Sequence, residues 1–380
     1  MSTLTVKAIE APVGFDLQLR DLNSISPASI ETTSIETTSI ETTSIETATI
    51  EAVSIETATI ETATLNLDGT AESSPAEGDI WYDSGKFYLG TSLSFVPGAW
   101  SSGGNLATAR KYTTGAGTQS AGLCMGGNGG SATNVTEEYD GTSWSAGGNL
   151  GTARVRLGGA GTQSAGLAIS GYTSAPANTN TTEEYDGTSW SAGGNVGTAR
   201  RGLVGAGTQS AGLCMGGYIE YVGLANNTEE YDGTSWSSGG NLGTARTSLG
   251  GAGTQSAGLC MGGGSGVDTV TEEYDGTSWS AGGNLGSPHR ETAGAGTQSA
   301  GLCISGWTGS ATTNVTEEYD GTSWSAGGNV GTARYRLAGA GTQSAGLCMG
   351  GDTGTYSNAT EEYGSGAGSY EELFTATSGL

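Results

Sequence analysis

The stretch EEYDGTSWSAGGN, residues 137–149, combines acidic, aromatic and turn-forming residues in a chain otherwise rich in Gly, Ser and Thr. Its first eight residues recur four times, beginning at Glu183, Glu229, Glu272 and Glu317, and EEY alone recurs at Glu361. A second phrase, AGTQSAGL, begins at Ala116, Ala160, Ala206, Ala252, Ala295 and Ala340. Self-similarity at a fixed period predicts a repeat architecture in which each repeat is one structural unit.

The repeats predict six four-stranded units. A tryptophan marks each unit, at Trp100, Trp144, Trp190, Trp236, Trp279 and Trp324, and the six are spaced 43–46 residues apart. A period of this length with Gly-Gly, Tyr and Trp marks is typical of a β-propeller blade. Strand a is expected after the TAR arginine, strand b at AGLCMGG, strand c at TEEYDG and strand d at SWSAGG, with GTQS and DGTS as the a–b and c–d turns. The tryptophans are expected to fill the space between blades together with Tyr139, Tyr185, Tyr231, Tyr274, Tyr319 and Tyr363.

The marks within one unit resemble kelch repeats. Gly126-Gly127 follows an apolar strand, Tyr139 comes about a dozen residues later, and Trp144 and Arg154 follow. The resemblance implies an all-β fold with a six-bladed kelch-like propeller. The recurring TAR arginine and Glu-Glu indicate repeated Arg–carboxylate pairs, with His289-Arg290 in place of Ala-Arg in one repeat.

The DGTSW phrase at Asp140–Trp144 also resembles the Asp-box of sialidases, one residue short. That turn is structural, and the arginines here occupy equivalent repeat positions instead of forming a single triad. A sialidase-like hydrolase is therefore the least favoured function, and the sequence predicts no enzyme and no catalytic residue.

The two ends of the repeat region are incomplete in complementary ways. Trp100 lies in a strand d with no strands a to c before it, and the last repeat stops after strand c because Gly364 replaces Asp and no Trp follows. We therefore expect residues 98–103 to complete the blade built from about 334–363. The propeller is predicted to span residues 98–364, followed by a tail, 365–380.

Charge and composition exclude several classes of function. With 13 Lys and Arg against 38 Asp and Glu, the net charge is −25, and no basic stripe could bind nucleic acid. No run of apolar residues is long enough to insert into a membrane, and no secretory signal precedes the repeats. The single histidine, His289, is expected in a surface loop, so no metal site and no cofactor are predicted.

The five cysteines occupy one repeat position, where the sixth copy has Ala168. A position that accepts Cys or Ala is a small buried slot, and equivalent positions in successive repeats lie too far apart for a disulfide. They are predicted to be structural thiols: Cys124, Cys214, Cys260, Cys303 and Cys348.

Residues 25–67 form a second repeat system with an apolar residue, nearly always Ile, every fifth position. A period of five fits neither a helix nor a simple strand and favours a β-helical shaft. The stretch resembles pentapeptide-repeat proteins. Three interwoven chains would bury the isoleucines better than one, which predicts a homotrimer; a disordered Thr/Glu spacer is the alternative.

Two further segments flank the shaft. MSTLTVKAIEAPVGFDLQL in residues 1–24 and PAEGDIWYDSGKFYLG in the linker 68–97, which carries a hairpin signal at Asp83-Ser84-Gly85, resemble segments of phage tail-fibre and related virion proteins. The resemblance implies attachment to other virion proteins through the N-terminus, a shaft, and a terminal adhesive domain exposed on the virion. A purely structural spacer or decoration protein, and a bacterial extracellular kelch-like protein, are the alternatives.

The six units differ mainly in their b–c loops and in the pair of residues after the TAR arginine, given as Lys111-Tyr112, Val155-Arg156, Arg201-Gly202, Thr247-Ser248, Glu291-Thr292 and Tyr335-Arg336. In a four-stranded meander these segments lie on one face, and loops on a rigid scaffold are where binding is usually found. We expect this face to bind a host-surface glycan through exposed aromatic and basic side chains: Tyr172, Tyr218, Tyr221, Trp307, Tyr356, Tyr112, Arg156, Tyr335 and Arg336.

Overall fold

The computed structural model describes residues 98–173, 177–266 and 268–364 in full, and three strands outside them, Ile80–Asp83, Lys86–Gly90 and Tyr370–Thr375, by their backbone. The chain divides into two compact units, residues 97–366 and the flanking segments 1–96 and 367–380. The predicted attachment segment 1–24 and the shaft 25–67, on which the homotrimer prediction depends, lie outside the described residues.

Residues 99–364 form six four-stranded antiparallel sheets, so the predicted six-bladed β-propeller is confirmed. In blades 1 to 6, strand a spans Thr114–Thr118, Gly158–Thr162, Val204–Gly207, Gly250–Gly253, Ala293–Gly296 and Ala338–Gly341. Strand b spans Ala121–Met125, Ala165–Ile169, Gly212–Met215, Gly258–Met261, Gly301–Trp307 and Ala345–Met349. Strand c spans Thr136–Tyr139, Thr182–Tyr185, Thr228–Tyr231, Thr271–Tyr274, Thr312–Tyr319 and Thr360–Gly364. Strand d spans Trp144–Ala146, Trp190–Ala192, Trp236–Ser238, Trp279–Ala281, Trp324–Ala326 and Ala99–Ser102.

The innermost strands pack around the central channel at a distance that only glycine allows. A methyl group added to the second residue of each strand a would lie 2.5–2.7 Å from an atom of the preceding blade, usually a glycine carbonyl oxygen. Real side chains essentially never approach so closely. This explains the repeated Gly-Ala-Gly of strand a, and the crowded positions are Gly115, Gly159, Gly205, Gly251, Gly294 and Gly339.

The repeated phrase EEYDGTSW joins one blade to the next. The Tyr185 hydroxyl of blade 2 donates to Glu138 of blade 1 at 2.5 Å and accepts from the Gly148 amide at 3.1 Å. Burial, followed by the hydrogen bond to Glu138, raises the pKa of Tyr185 to about 12. The Trp190 indole donates to Thr136 of blade 1 at 3.0 Å, and the same contacts recur around the ring. Each copy of the phrase therefore supplies the side chains of one blade to its interface with the neighbouring blade.

The a–b turn makes a further contact between blades through its glutamine. The amide of Gln163 donates to the carbonyl oxygens of Gly122 and Tyr139 in the preceding blade, at 3.0 and 2.7 Å. Each blade repeats this pair of hydrogen bonds, through Gln119, Gln163, Gln209, Gln255, Gln298 and Gln343. The repetition of AGTQSAGL therefore follows from the same stacking of blades.

The predicted Arg–carboxylate pairs are confirmed in five blades, and each lies within its own blade. The TAR arginine is completely buried and its guanidinium contacts the first glutamate of strand c at 2.8–3.2 Å. Removing one partner of such a pair costs roughly 3–5 kcal/mol, because the other charge is left buried alone. The pairs fasten each d–a connection to its sheet, and they are Arg110–Glu137, Arg154–Glu183, Arg200–Glu229, Arg246–Glu272 and Arg334–Glu361.

Blade 5 differs, and two predictions there are wrong. His289 is not a surface residue: it is completely buried in the site that the arginine fills elsewhere. Its Nε2 lies 3.3 Å from Glu317 and its Nδ1 lies 2.9 Å from the Ser305 carbonyl oxygen. Burial opposes ionisation of Glu317, but hydrogen bonds from His289, Ser287 and the Gly286 amide outweigh it and lower the Glu317 pKa.

The second error follows from the first. Counting from Leu285, which matches Leu242 of blade 4, places His289 opposite Arg246, so the variable pair of blade 5 is Arg290-Glu291 and not Glu291-Thr292. The sequence prediction matched Arg290 to the TAR arginine because both are arginines. The number of residues after Leu285 instead places His289 at that position. The correction moves Arg290 from a structural site to the variable face.

The five cysteines are buried and unpaired, as predicted. Burial raises the pKa of Cys214 to about 11 and that of Cys260 to about 12, which keeps both as thiols at neutral pH.

Closure of the ring occurs as the sequence predicts. Strand Ala99–Ser102 pairs antiparallel with Thr360–Gly364, and Trp100 lies opposite Tyr363. The two rings stand 4.9 Å apart, and the Trp100 indole donates to Thr316 of blade 5 at 2.9 Å. The N-terminal strand therefore makes every contact that strand d makes in the other five blades.

The flanking unit contains a small sheet of three strands. Ile80–Asp83 and Lys86–Gly90 pair antiparallel where the sequence predicts a hairpin. Tyr370–Thr375, within the segment assigned to a tail, pairs with Lys86–Gly90 as the third strand. Chain from both sides of the propeller thus meets in one sheet.

The first prediction concerns the central ring. Gly205→Ala would place a methyl group 2.5 Å from the Gly159 carbonyl oxygen, so we expect the free energy of unfolding to fall by roughly 1–3 kcal/mol. The control is Gly364→Ala, because no atom lies within 4 Å of that position and five blades carry Asp there. Chemical denaturation measures both variants, and equal stabilities would contradict the packing argument.

The second prediction concerns closure. Deleting residues 1–103 removes strand d of blade 6 and leaves an unpaired edge at Thr360–Gly364, so the melting temperature of the propeller should fall. Deleting residues 1–94 keeps that strand and should leave the melting temperature of the propeller unchanged. Differential scanning calorimetry compares the two truncations, and coincident transitions would show that strand Ala99–Ser102 does not stabilise the ring.

Candidate functional site

The connections of the propeller divide into two faces of different character. The a–b and c–d turns have the same sequence in nearly every blade and form what we name the constant face. The d–a and b–c connections differ in every blade and form the variable face. In five blades the residue after the buried Arg or His forms a bridge with the segment that follows the Gly-Gly or Ser-Gly of strand b in its own blade, as in the bridges Val155–Tyr172, Arg201–Tyr218 and Arg290–Trp307. The divergent segments therefore form one continuous surface.

Six equivalent residues surround the channel on this face, one from each blade. We name them the mouth ring: Tyr112, Arg156, Gly202, Ser248, Glu291 and Arg336. Each amide donates to the carbonyl oxygen of the preceding member at 2.7–3.0 Å, and the circle closes from Tyr112 to Arg336. All six have φ between 50° and 64°, a left-handed conformation that disfavours side chains.

Five members of the mouth ring are not glycine, although the backbone conformation favours glycine. Such residues cost of order 1–3 kcal/mol each, and they cluster at sites with a function. Their side chains all differ in class, apart from the two arginines, whereas the backbone ring is the same in each blade. The structure therefore retains strain in order to hold a particular side chain at each point of the channel mouth.

One half of the mouth is filled by a charged cluster. The Tyr112 ring lies between the guanidinium groups of Arg156 and Arg336, 4.1 and 4.5 Å from its centroid. Glu291 reaches across from blade 5 and contacts Arg156 at 3.4 Å and Arg336 at 2.8 Å. Burial raises the pKa of Tyr112, with Glu291 adding to the shift and the two arginines opposing it.

The other half of the mouth is open because Gly202 and Ser248 have no bulk. Below it a cavity of about 120 Å³ continues down the channel to the ring of glycines in strand a. Its wall includes Leu157, Leu203 and Leu249. The channel is thus narrow and partly apolar, with its polar groups concentrated at the mouth.

The structure brings together some of the predicted aromatic residues and separates others. Tyr172 and Tyr218 lie on either side of Arg201, whose guanidinium is 5.0 and 4.7 Å from their ring centroids. Trp307 packs against Tyr335 at 5.7 Å. These four rings are half-buried and not exposed, since they support the loops that carry them.

Two of the predicted aromatic residues are exposed. Tyr221 is 94% exposed at the tip of a hairpin, Tyr218–Ile219 with Gly223–Leu224, that forms a separate two-stranded sheet in blade 3. Its neighbour Val222 is 77% exposed, and Tyr356 in blade 6 is 40% exposed. Among the described residues these three are the exposed large hydrophobic side chains, and all lie on the variable face.

The basic residues are distributed as unevenly as the aromatic ones. Within residues 98–364, half of the ten Lys and Arg are buried in the pairs described above, and the rest are on the variable face: Lys111, Arg156, Arg201, Arg290 and Arg336. The constant face instead carries the five turn aspartates, such as Asp140, whose pKa is lowered by hydrogen bonds from the Ser143 and Thr142 amides. Within residues 98–364, the propeller of a strongly acidic protein therefore collects its accessible cations on a single surface.

Lys111, Arg201 and Asp352 were expected on the variable face but were not among the predicted binding residues, and Arg290 was not predicted there. Lys111, Arg201 and Asp352 form ion pairs there, Lys111 with Asp352 at 2.7 Å and Arg201 with Glu220. Arg290 was placed in the wrong register. A search for lysines and arginines outside the TAR phrase would have found all of the cations.

Neither a scan of known protein families nor a search of curated proteins finds a match to this chain. In the part of the chain that the structure describes, no group of three or more His, Cys, Asp or Glu side chains could hold a metal ion. Nor do the described residues include a helix that is long and apolar enough to cross a membrane.

The third prediction concerns the charged cluster. In Glu291→Gln the two arginines beside Tyr112 lose a shared carboxylate, so the Tyr112 pKa should fall. Stability should change by only about 1 kcal/mol or less, since these pairs are partly exposed and screened. An NMR titration, with Tyr112→Phe to assign the signal, measures the pKa. Glu220→Gln, which removes a carboxylate from blade 3, should leave it unchanged, and an unchanged value in Glu291→Gln would refute the coupling.

Proposed function

We propose that this protein is a virion fibre that attaches to its host by binding a cell-surface glycan through the variable face. The observation that carries the proposal is the division of the sequence between the two faces. The phrases that recur in the blades supply the contacts between and within them. The positions that differ gather the accessible cations and the exposed apolar side chains of the described residues.

A recurrent framework with a divergent surface is the pattern of a binding protein built on a rigid scaffold. Aromatic side chains, which present an apolar face and polar edges, suit the flat faces of sugar rings. Tyr221 and Tyr356 offer such faces to solvent, at separate points of the surface. Tyr221 is almost fully exposed, whereas Tyr356 also contacts Lys111, whose ammonium lies 4.9 Å from the Tyr356 ring centroid.

The virion assignment rests on the sequence alone. We infer that residues 1–24 attach to other virion proteins and that residues 25–67 form the shaft of a homotrimer exposed on the virion surface. Three propellers on one shaft would raise the apparent affinity for a repeating glycan, by roughly 10²-fold or more. A structural spacer without a ligand, a sialidase-like hydrolase and a bacterial extracellular kelch-like protein are the rival functions.

The fourth prediction tests glycan binding at the hairpin of blade 3. The full-length protein should bind a subset of bacterial surface glycans on an array. Replacing Tyr221 and Val222 together by Ser should weaken that binding about tenfold, because their apolar surface is available for burial in a complex. The melting temperature should stay the same, since both side chains are exposed.

The control is Thr188→Ala on the constant face, where the side chain is also exposed. It should affect neither glycan binding nor stability. Absence of binding to every glycan would favour the structural spacer. Binding that survives the double replacement unchanged would remove the hairpin from the site.

A further inference from the structure

The five cations of the variable face are not equivalent. Four of them have a carboxylate partner: Lys111 pairs with Asp352, Arg201 with Glu220, and Arg156 and Arg336 share Glu291. Among the described residues, the Arg290 side chain has neither an ion-pair partner nor a hydrogen-bond partner. In a chain with 38 acidic residues, a basic residue without an acidic partner is unexpected.

Part of the Arg290 guanidinium is also shielded from water. Its Nε is buried and has no hydrogen-bond partner among the described residues. The same is true of the Nε atoms of the five buried TAR arginines, but each of those guanidinium groups has a glutamate partner, whereas Arg290 has none. Leaving a buried donor without a partner is unfavourable, and more so for a charged group. The backbone of Arg290 is held firmly, because it pairs with Trp307 in both directions at 3.0 and 2.9 Å. The fold thus holds the backbone of Arg290 in place, while its guanidinium has no acidic partner among the described residues.

Arg290 lines a groove of about 540 Å³ over the open half of the mouth ring. Arg156 and Arg336 reach the same groove, and Glu291, its one acidic lining residue, is already shared between these two arginines. The groove therefore has a positive charge in a protein whose net charge is −25. Its volume is in the range of sites that bind small ligands.

The rest of the groove suits a sugar. Tyr218 and Leu224, the two ends of the hairpin that carries Tyr221, provide an aromatic and an aliphatic wall. The Ser248 hydroxyl can donate and accept hydrogen bonds, the Thr247 hydroxyl, which donates to the Gly202 carbonyl oxygen at 3.2 Å, can still accept, and Gly264 leaves space between the walls. A guanidinium can bind a carboxylate through two parallel hydrogen bonds.

We propose that this groove binds an acidic sugar and that Arg290 receives its carboxylate. The proposal rests on the glycan-binding function proposed above and adds the chemical class of the ligand. The carboxylate would satisfy the guanidinium that the protein itself leaves without a partner. The sugar ring would lie against Tyr218 and Leu224, next to the exposed tip of the hairpin.

The fifth prediction uses sugars that differ by a carboxylate. A tetramer of β-1,4-linked glucuronic acid and sialyllactose are the acidic probes, and cellotetraose and lactose are their neutral counterparts. By isothermal titration calorimetry on the full-length protein, at least one acidic probe should bind at least about tenfold more tightly than its counterpart. Arg290→Gln should weaken the binding of that probe by about tenfold or more.

Because the Arg290 side chain has no partner to lose, Arg290→Gln should not lower the melting temperature, which separates an effect on binding from an effect on folding. Lys111→Gln removes the same unit of charge from the same face, outside the groove, and should change the affinity by less than about twofold. An equal loss in both variants would overturn the Arg290 site in favour of a general attraction of anions by this face.

The remaining outcomes distinguish this inference from the proposed function. If neutral glycans bind and neither acidic probe binds more tightly than its counterpart, the acidic-sugar site is wrong and glycan attachment stands. If no sugar binds, neutral or acidic, both proposals fail. If an acidic probe binds equally well to Arg290→Gln, the carboxylate is received elsewhere and the inference is overturned.

Discussion

The close approach of the six innermost strands determines most of this structure. Around the channel the backbones of neighbouring blades come very near to each other. A methyl group on Gly205 or Gly294 would lie 2.5 Å from a carbonyl oxygen in strand a of the preceding blade. Glycine in a strand is unfavourable, because it loses more conformational entropy and packs no side chain. The ring compensates by stacking blades tightly enough for the outer contacts to form: the Tyr–Glu hydrogen bonds, the Trp–Thr hydrogen bonds and the glutamine bridges.

The same arrangement leaves one face free to diverge. The side-chain contacts that recur between all the blades involve the strands and the a–b turns, so a change in those phrases would affect two blades at once. The d–a and b–c connections of the variable face are held by backbone hydrogen bonds, above all the circle formed by the mouth ring. Backbone contacts do not depend on side-chain identity. Tyr, Arg, Ser and Glu can therefore occupy equivalent positions on one scaffold, at the cost of a left-handed backbone.

Electrostatics gives the two faces opposite properties. The turn aspartates of the constant face are satisfied locally by amides two and three residues ahead, as at Asp140, and do not need cations. The arginines buried in the blades are neutralised by strand c. Four of the five remaining cations pair with carboxylates of the variable face, and Arg290 is left without such a partner among the described residues. Their placement around the channel mouth, together with Glu291 and Asp352, produces a polar surface with defined geometry.

Much of the fold could be predicted from the sequence because the repeats are nearly identical. A spacing of 43–46 residues fixes the number of blades, and the missing strands at the two ends of the repeat region fix how the ring closes. The positions of the Tyr, Trp and Gly-Gly residues predict where the strands of each blade lie. Only the tertiary structure decided the register of blade 5, since His289 replaces an arginine there while Arg290 follows it in sequence. Only the structure revealed the third strand of the flanking sheet, Tyr370–Thr375, because its partner, Lys86–Gly90, precedes the propeller in the chain whereas Tyr370–Thr375 follows it.

For the candidate site, the sequence by itself determined which face varies, because strand order places the d–a and b–c connections on one side. It could not determine which side chains on that face are free. Tyr218 and Trp307 appear as available in the sequence as Tyr221 does, yet the first two support neighbouring loops and only Tyr221 extends into solvent. The pairing of four cations and the isolation of Arg290 depend on distances between blades that no local pattern encodes. Repetition in the sequence specifies the scaffold, whereas the surface of the site is decided by contacts between residues far apart in the chain.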